Sequence, residues 1–262
     1  MAHSPDSHRR RKDGTVGRRF SYLFPMTRPA NARLAGFTFL FYIAAGVASM
    51  VLFGKATKGA EGVAATLASI SQHATTVRLT AVLGLLTFMA AVTLAVTLYA
   101  LTRDQDPDIA MLALCCRVGE GVIGAISAIS TLELLSVATA STTAAGPDAP
   151  AAYALGALLL HAGGAHTLVG ATCFAVGSAL YSYLFLRARS IPGVLAWLGV
   201  LGSMLLVVGL PLQLAGFIRG SVTNFMWIPV AVFEVVLALW LLIKGVATIP
   251  KRVSPNLGDV TK

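Results

Sequence analysis

The stretch IAMLALCCRVGEGVIGAISAISTLELLSV, residues 109–137, decides the fold. A helix rises about 1.5 Å per residue, so a run of this length crosses the hydrocarbon core of a bilayer, roughly 30 Å thick. Its apolarity is continuous rather than alternating. That pattern belongs to a helix, which satisfies its own backbone inside lipid, and not to a barrel strand. Yet the stretch carries Arg117 and Glu120 three positions apart near one end and Glu133 near the other. Charges in hydrocarbon are costly, which makes these residues the strongest functional signal in the chain.

Runs of similar length lie on both sides of it. Leu34 to Phe53 and Leu79 to Leu101 precede it, and Ala165 to Leu186, Ile191 to Gln213 and Thr223 to Val246 follow. Four of these, the first, second, fourth and fifth spans in chain order, are free of charge, and the sixth is interrupted by Glu234 and reaches Lys244 near its end. Across all 262 residues, 56% are hydrophobic and 12% charged, the balance of an integral membrane protein and not of a soluble domain. The expectation is an all-α, polytopic transmembrane helix bundle of about six spans. Basic tails occupy residues 1–33 and 247–262, and the bundle occupies 34–246.

Six spans put both ends on one side, and the Lys/Arg distribution chooses which. With the amino terminus in the cytoplasm, the inner segments hold 15 of the basic residues and the outer ones only Lys55, Lys58, Arg78 and Arg219, with Arg117 in the membrane. The positive-inside rule therefore predicts both termini in the cytoplasm. Trp227 and Tyr183 fall where interfacial aromatics are expected. The net charge of +9 does not indicate nucleic acid, because the basic residues gather at membrane edges and in the first 33 positions. His8-Arg9-Arg10-Arg11-Lys12 reads as a disordered tail drawn to anionic lipid heads, so membrane lipids are the expected partners. Gly17-Arg18-Arg19-Phe20 resembles a twin-arginine signal only superficially, since a full-length span without a cleavage site follows. Cys115, Cys116 and Cys173 all fall inside predicted helices and read as small packing residues.

The inner connections, Thr102 to Asp108 and Arg187 to Ser190, are short. Of the longer outer ones, Gly54 to Arg78 contains a helical stretch from Val63 that can run on into the second span. Ser141 to His161 opens on a breaker cluster and then becomes apolar. Its second part, Ala149 to Leu160, is too short to cross and predicts an interfacial or re-entrant helix on the outer side.

Within the bundle, Arg117 and Glu120 lie on one helical face and can pair. The first reading is an internal ion pair that locks the helices. Glu133 lies near the interface. Glu234 sits about eleven residues into the sixth span, near the midplane, where a carboxylate is held neutral or matched with a base. One arginine against Glu120 and Glu234 leaves a surplus carboxylate, which is what a proton or cation site needs. His161 and His166 are five apart, the wrong spacing for two imidazoles on one helical face, although Gly163 and Gly164 between them could break the helix. With His73 on the same side they form a weak three-histidine candidate, and the expectation is no metal and no cofactor. Gly119, Gly121 and Gly124, Gly170 and Gly177, and Gly199, Gly202 and Ser203 fall at helix-packing intervals. Pro211 and Pro229 are placed to kink the outer ends of the last two spans and open a pocket there.

The chain also resembles the bacterial multi-pass membrane proteins of domain-of-unknown-function family 4386. The likeness runs from Ala32-Arg33-Leu34-Ala35-Gly36 through Arg117-Val118-Gly119-Glu120 and Leu160-His161. It continues in Tyr183-Leu184-Phe185-Leu186-Arg187-Ala188-Arg189-Ser190-Ile191-Pro192, in Trp197-Leu198-Gly199, and in the segment from Phe233-Glu234 to Lys244-Gly245. It covers roughly residues 30 to 247. Gly193, where a basic residue is usual, and the glycine pair after His161, where an acidic one is frequent, depart from the pattern. The resemblance implies a six- or seven-helix plasma-membrane protein and brings no established activity.

Two functions stand as expectations. The first is a non-enzymatic structural or accessory protein, working with a membrane-protein partner or further copies of itself. The alternative is a carrier or receptor for a small molecule, lipid or ion, using Arg117, Glu120 and Glu234. No catalytic residue is expected, since no nucleophile, metal motif or acid and base pair of known spacing is present.

Overall fold

The computed structural model describes residues 27–142 and 148–247. The basic segment before residue 27, most of the breaker cluster and the tail after 247 lie outside the described residues. Eight helices follow in order among those described: α1 (Arg28–Ala56), α2 (Gly62–Gln72), α3 (Ala74–Thr102), α4 (Pro107–Ser141), α5 (Asp148–Ala188), α6 (Gly193–Leu214), α7 (Ser221–Phe225) and α8 (Ile228–Ile243). Six segments are long and apolar enough to span a bilayer: α1, α3, α4, α5, α6, and α8 together with α7. The protein is a multi-pass membrane protein, as its composition requires.

Local chemistry sets the helix starts. The Thr27 hydroxyl accepts from the Ala30 amide, and Pro29 occupies the first turn of α1, where a missing N–H costs nothing. Asp106 does the same for α4, accepting from the Ile109 amide at 3.2 Å just before Pro107. Residues 28–33, read from sequence as tail, are therefore the first turns of α1.

The spanning helices form a closed ring in chain order. Each packs mainly on its sequence neighbour, α1 on α3, α3 on α4, α4 on α5, α5 on α6 and α6 on α8, and α8 returns to α1. Closure depends on Gly36, where a β-carbon would stand 2.6 Å from both the Ala238 carbonyl and the Leu242 amide nitrogen, so the two backbones touch. The pattern of burial is that of a protein in lipid. Large apolar side chains such as Phe37, Met89, Leu201 and Val208 face outward. Polar side chains, including Arg117, Glu120, Ser182, Ser203 and Glu234, are buried.

The face where α1 begins and α8 ends is called here the terminal face. There Arg28 approaches Asp104 at 3.5 Å and Arg187 approaches Asp106 at 3.3 Å, and both pairs are solvent-accessible enough to contribute little. The main apolar core fills the terminal half and the α5–α6–α8 wall. A second core lies toward the opposite face, where Leu67 and Ile70 of α2 pack with Ala56, Val77, Leu134, Leu135 and Ala138.

Three expectations need correction. Ala149 to Leu160 is not a separate interfacial helix. It is the start of α5, which runs unbroken for 41 residues through Gly163 and Gly164. Its early turns are held against α2, where a β-carbon on Gly156 would come within 2.6 Å of the Leu67 side chain. The short helix on that face is α2 itself, and it does not run on into α3, because the chain turns at His73. Pro229 opens α8 instead of kinking it, and Pro211 lies within the last turns of α6. The cavity of this protein is elsewhere.

Candidate functional site

A cavity of about 650 Å³ lies inside the ring. Its walls come from α1, α3, α4 and α5, and α8 and the turn before it contribute Glu234 and Trp227. Hydroxyls of Ser49, Thr87, Ser127 and Thr131 are spaced along an otherwise apolar lining. Most of these hydroxyls are engaged with their own helix: Thr87, Ser127 and Thr131 donate to the carbonyls four residues earlier. Such bonds spare the hydroxyl proton from lipid and leave oxygen lone pairs to accept. Gly46, Gly124, Gly163 and Gly164 border the space, and no atom lies within 4 Å of where their β-carbons would stand. The reading of Gly124 as a packing glycine is therefore corrected, and Gly119 likewise has open space beside it.

Three of the cavity's residues form a polar group: Tyr42 of α1, Glu120 of α4 and Glu234 of α8. The Tyr42 hydroxyl donates a hydrogen bond to Glu120 Oε1. Glu120 Oε2 is 3.0 Å from Arg117 Nη1, so the pair expected from the i, i+3 spacing forms. Their alignment is not that of a hydrogen bond, and no guanidinium nitrogen of Arg117 has a hydrogen-bond partner among the described residues. Aromatic faces surround the cation instead. Its Cζ lies 4.9 Å from the ring centre of Phe174, 5.4 Å from Tyr42 and 5.8 Å from Phe39. A desolvated guanidinium against π-faces gains roughly 2 kcal/mol or more from such contacts. Arg117 is 1% exposed and does not line the large cavity.

Glu234 is 6% exposed and its Oε1 is buried with no hydrogen-bond partner among the described residues. It borders the large cavity and also a second space of about 10 Å³ shared with Arg117, Ser178, Tyr181 and Ser182. The three residues named from sequence thus converge from α4 and α8. Tyr42, Phe39, Phe174 and Trp227 were missed as members of the group. Tyr42 had a legible signal, a phenol in the middle of a charge-free span, whereas nothing in sequence separates Phe39 or Phe174 from other apolar positions. Trp227, read as an interfacial anchor, turns inward and stacks on Phe174 with ring centres 6.1 Å apart.

The histidines do not assemble. His73 lies at the α2–α3 corner with Nδ1 2.9 Å from the Ser69 carbonyl, and His161 is exposed on α5. His166 borders the cavity, and its buried Nδ1 has no hydrogen-bond partner among the described residues. Because α5 stays helical through the glycine pair, His161 and His166 are not drawn together. Among the described residues no three His, Cys, Asp or Glu side chains are grouped to hold a metal. Glu133 is exposed, and Cys115, Cys116 and Cys173 are free thiols.

A family model described as Domain of unknown function (DUF4386) matches residues 34–245. No curated protein and no solved structure matches the chain.

Proposed function

The chain belongs to the DUF4386 family, and from that membership and the cavity we propose a non-enzymatic protein of the bacterial plasma membrane that binds a small amphipathic molecule between its helices. One observation carries the reading: a cavity of about 650 Å³ on which Tyr42, Glu120 and Glu234 converge. Its volume falls in the range of small-molecule sites, roughly 300–1,000 Å³, and its mostly apolar lining with a few convergent polar groups is their usual composition. The basic residues favour both termini in the cytoplasm, which places the α2 end of the cavity toward the outside.

The structural reading keeps a share of the cluster. Arg117, set between Phe39 and Tyr42 of α1, Glu120 of α4 and Phe174 of α5, fastens three helices and takes no part in the cavity surface. Glu120 and Glu234 form that surface.

The test is thermal unfolding in detergent with a library of amphipathic metabolites and lipids, on the wild type and on Gly124→Trp and Gly164→Trp, each of which places an indole in the empty space. Compounds that raise the wild-type midpoint and leave both variants unmoved support the reading. Shifts of equal size in all three proteins, or none in any, overturn it.

A further inference from the structure

We propose that the molecule held in this cavity is an organic cation, an amine or quaternary ammonium ion with an apolar body, and that Glu234 is its counter-ion. The proposal rests on the binding reading above and adds the charge of the ligand to it.

The argument begins with a count of charges. Among the described residues of the spanning helices' interior, Arg117 is the one buried cation, and Glu120 and Glu234 are the two buried carboxylates. Arg117 and Glu120 meet at 3.0 Å and offset each other. Among the described residues Glu234 is in no ion pair, and its buried Oε1 has no hydrogen-bond partner. A carboxylate so placed in hydrocarbon is matched by a proton or by a cation supplied from elsewhere.

Geometry then separates the charges. The guanidinium lies against Phe39, Tyr42 and Phe174 and Arg117 is not among the residues that line the large cavity, while Glu234 and Glu120 are. An entering molecule meets Glu120 and Glu234 and, among the described residues, no lysine or arginine. Among the described residues, an anion would find no lysine or arginine on those walls. Phe88, Phe174 and Trp227 supply aromatic surface on the same walls, and aromatic faces beside a carboxylate are the chemistry that recognises alkylammonium groups. A bare metal ion is a poorer fit, because among the described residues no third His, Cys, Asp or Glu side chain joins the two carboxylates.

The experiment compares three probes of matched shape: benzyltrimethylammonium, its neutral carbon isostere neopentylbenzene, and the anion benzylsulfonate. Binding is measured by titration calorimetry on the full chain in lipid nanodiscs, with wild type, Glu234→Gln, Glu234→Asp and Gly124→Trp. The expected result is saturable binding of the cation in preference to both other probes. It weakens roughly tenfold or more in Glu234→Gln, recovers in part in Glu234→Asp and is lost in Gly124→Trp. Should Glu234→Gln fail to fold, the wild-type order of the three probes decides. If the neutral or anionic probe binds as well as the cation and Gly124→Trp abolishes that binding, the counter-ion role is overturned while the binding reading stands. An unchanged cation affinity in Glu234→Gln has the same meaning. If no probe binds the wild type, the cation assignment falls, and the library screen with the two tryptophan variants decides the binding reading separately.

Discussion

Gly177 of α5 lies flush against the stem of Arg117 of α4: a β-carbon at 177 would stand 3.0 Å from Arg117 Cγ and 3.1 Å from Cδ. The absent side chain lets the arginine run between two helices and present its guanidinium to the rings of Phe174, Tyr42 and Phe39. Gly177→Leu is therefore expected to displace the arginine and to destabilise the protein by about 1–3 kcal/mol, the usual cost of overpacking. Thermal unfolding in detergent checks this, and an unchanged midpoint would contradict the close approach.

Arg117→Ala removes the partner of a buried carboxylate. The expected loss is about 3–5 kcal/mol, most of it from Glu120 left without its cation. Arg117→Ala with Glu120→Gln should cost clearly less than the two single losses added together, since residues in one network couple. Strict additivity in a double-mutant cycle would show that the two charges do not interact.

Tyr42→Phe deletes the hydroxyl that donates to Glu120 and keeps the ring against Arg117. A loss of about 1–3 kcal/mol is expected, because the carboxylate is buried and loses a donor. Denaturation of purified protein reads it, and a cost much smaller than that of Arg117→Ala would rank the ion pair above the phenol as the holder of Glu120.

Two glycines should respond in opposite directions to alanine. A β-carbon at Gly199 would come within 2.5 Å of the Phe233 ring and of Ser182 Oγ, so Gly199→Ala should destabilise. Gly119 has no atom within 4 Å of that position, and Gly119→Ala should stabilise α4 by about 0.5–1 kcal/mol, the helix cost of glycine. Melting curves of the two variants side by side would reveal any reversal of this order.

The proposed orientation predicts which sites an impermeant maleimide reaches. In a background with the three native cysteines replaced, Lys58→Cys, in the turn after α1, should label in intact cells. Arg103→Cys, at the end of α3, should label only after the membrane is opened. Both positions are exposed, so access is set by side and not by burial. The reverse pattern would turn the protein over in the membrane.

Much of the architecture was legible because hydrocarbon leaves a chain few choices. Continuous apolar runs such as 34–53 and 79–101 must be helices, since an unpaired backbone group in lipid costs several kcal/mol. The Arg117–Glu120 pair followed from helical spacing alone. Where a helix ends was less legible. Ala149 to Leu160 was separated from α5 by its length and by Gly163-Gly164, yet a helix can extend past the bilayer when another element covers it. Here α2 does so through Leu67.

By itself, the sequence determined a multi-pass all-helical membrane protein with a charge pair in the third span and an unmatched glutamate in the last, because composition, run length and helical periodicity are local properties. Only the tertiary structure decided that the ring closes through Gly36, that Arg117 lies against three aromatic rings, and that Glu120 and Glu234 share a cavity with Tyr42. Those facts depend on which faces of separate helices meet. In a chain apolar all round, no hydrophobic stripe marks the inward face, so the contacts are set by small residues and buried polar groups.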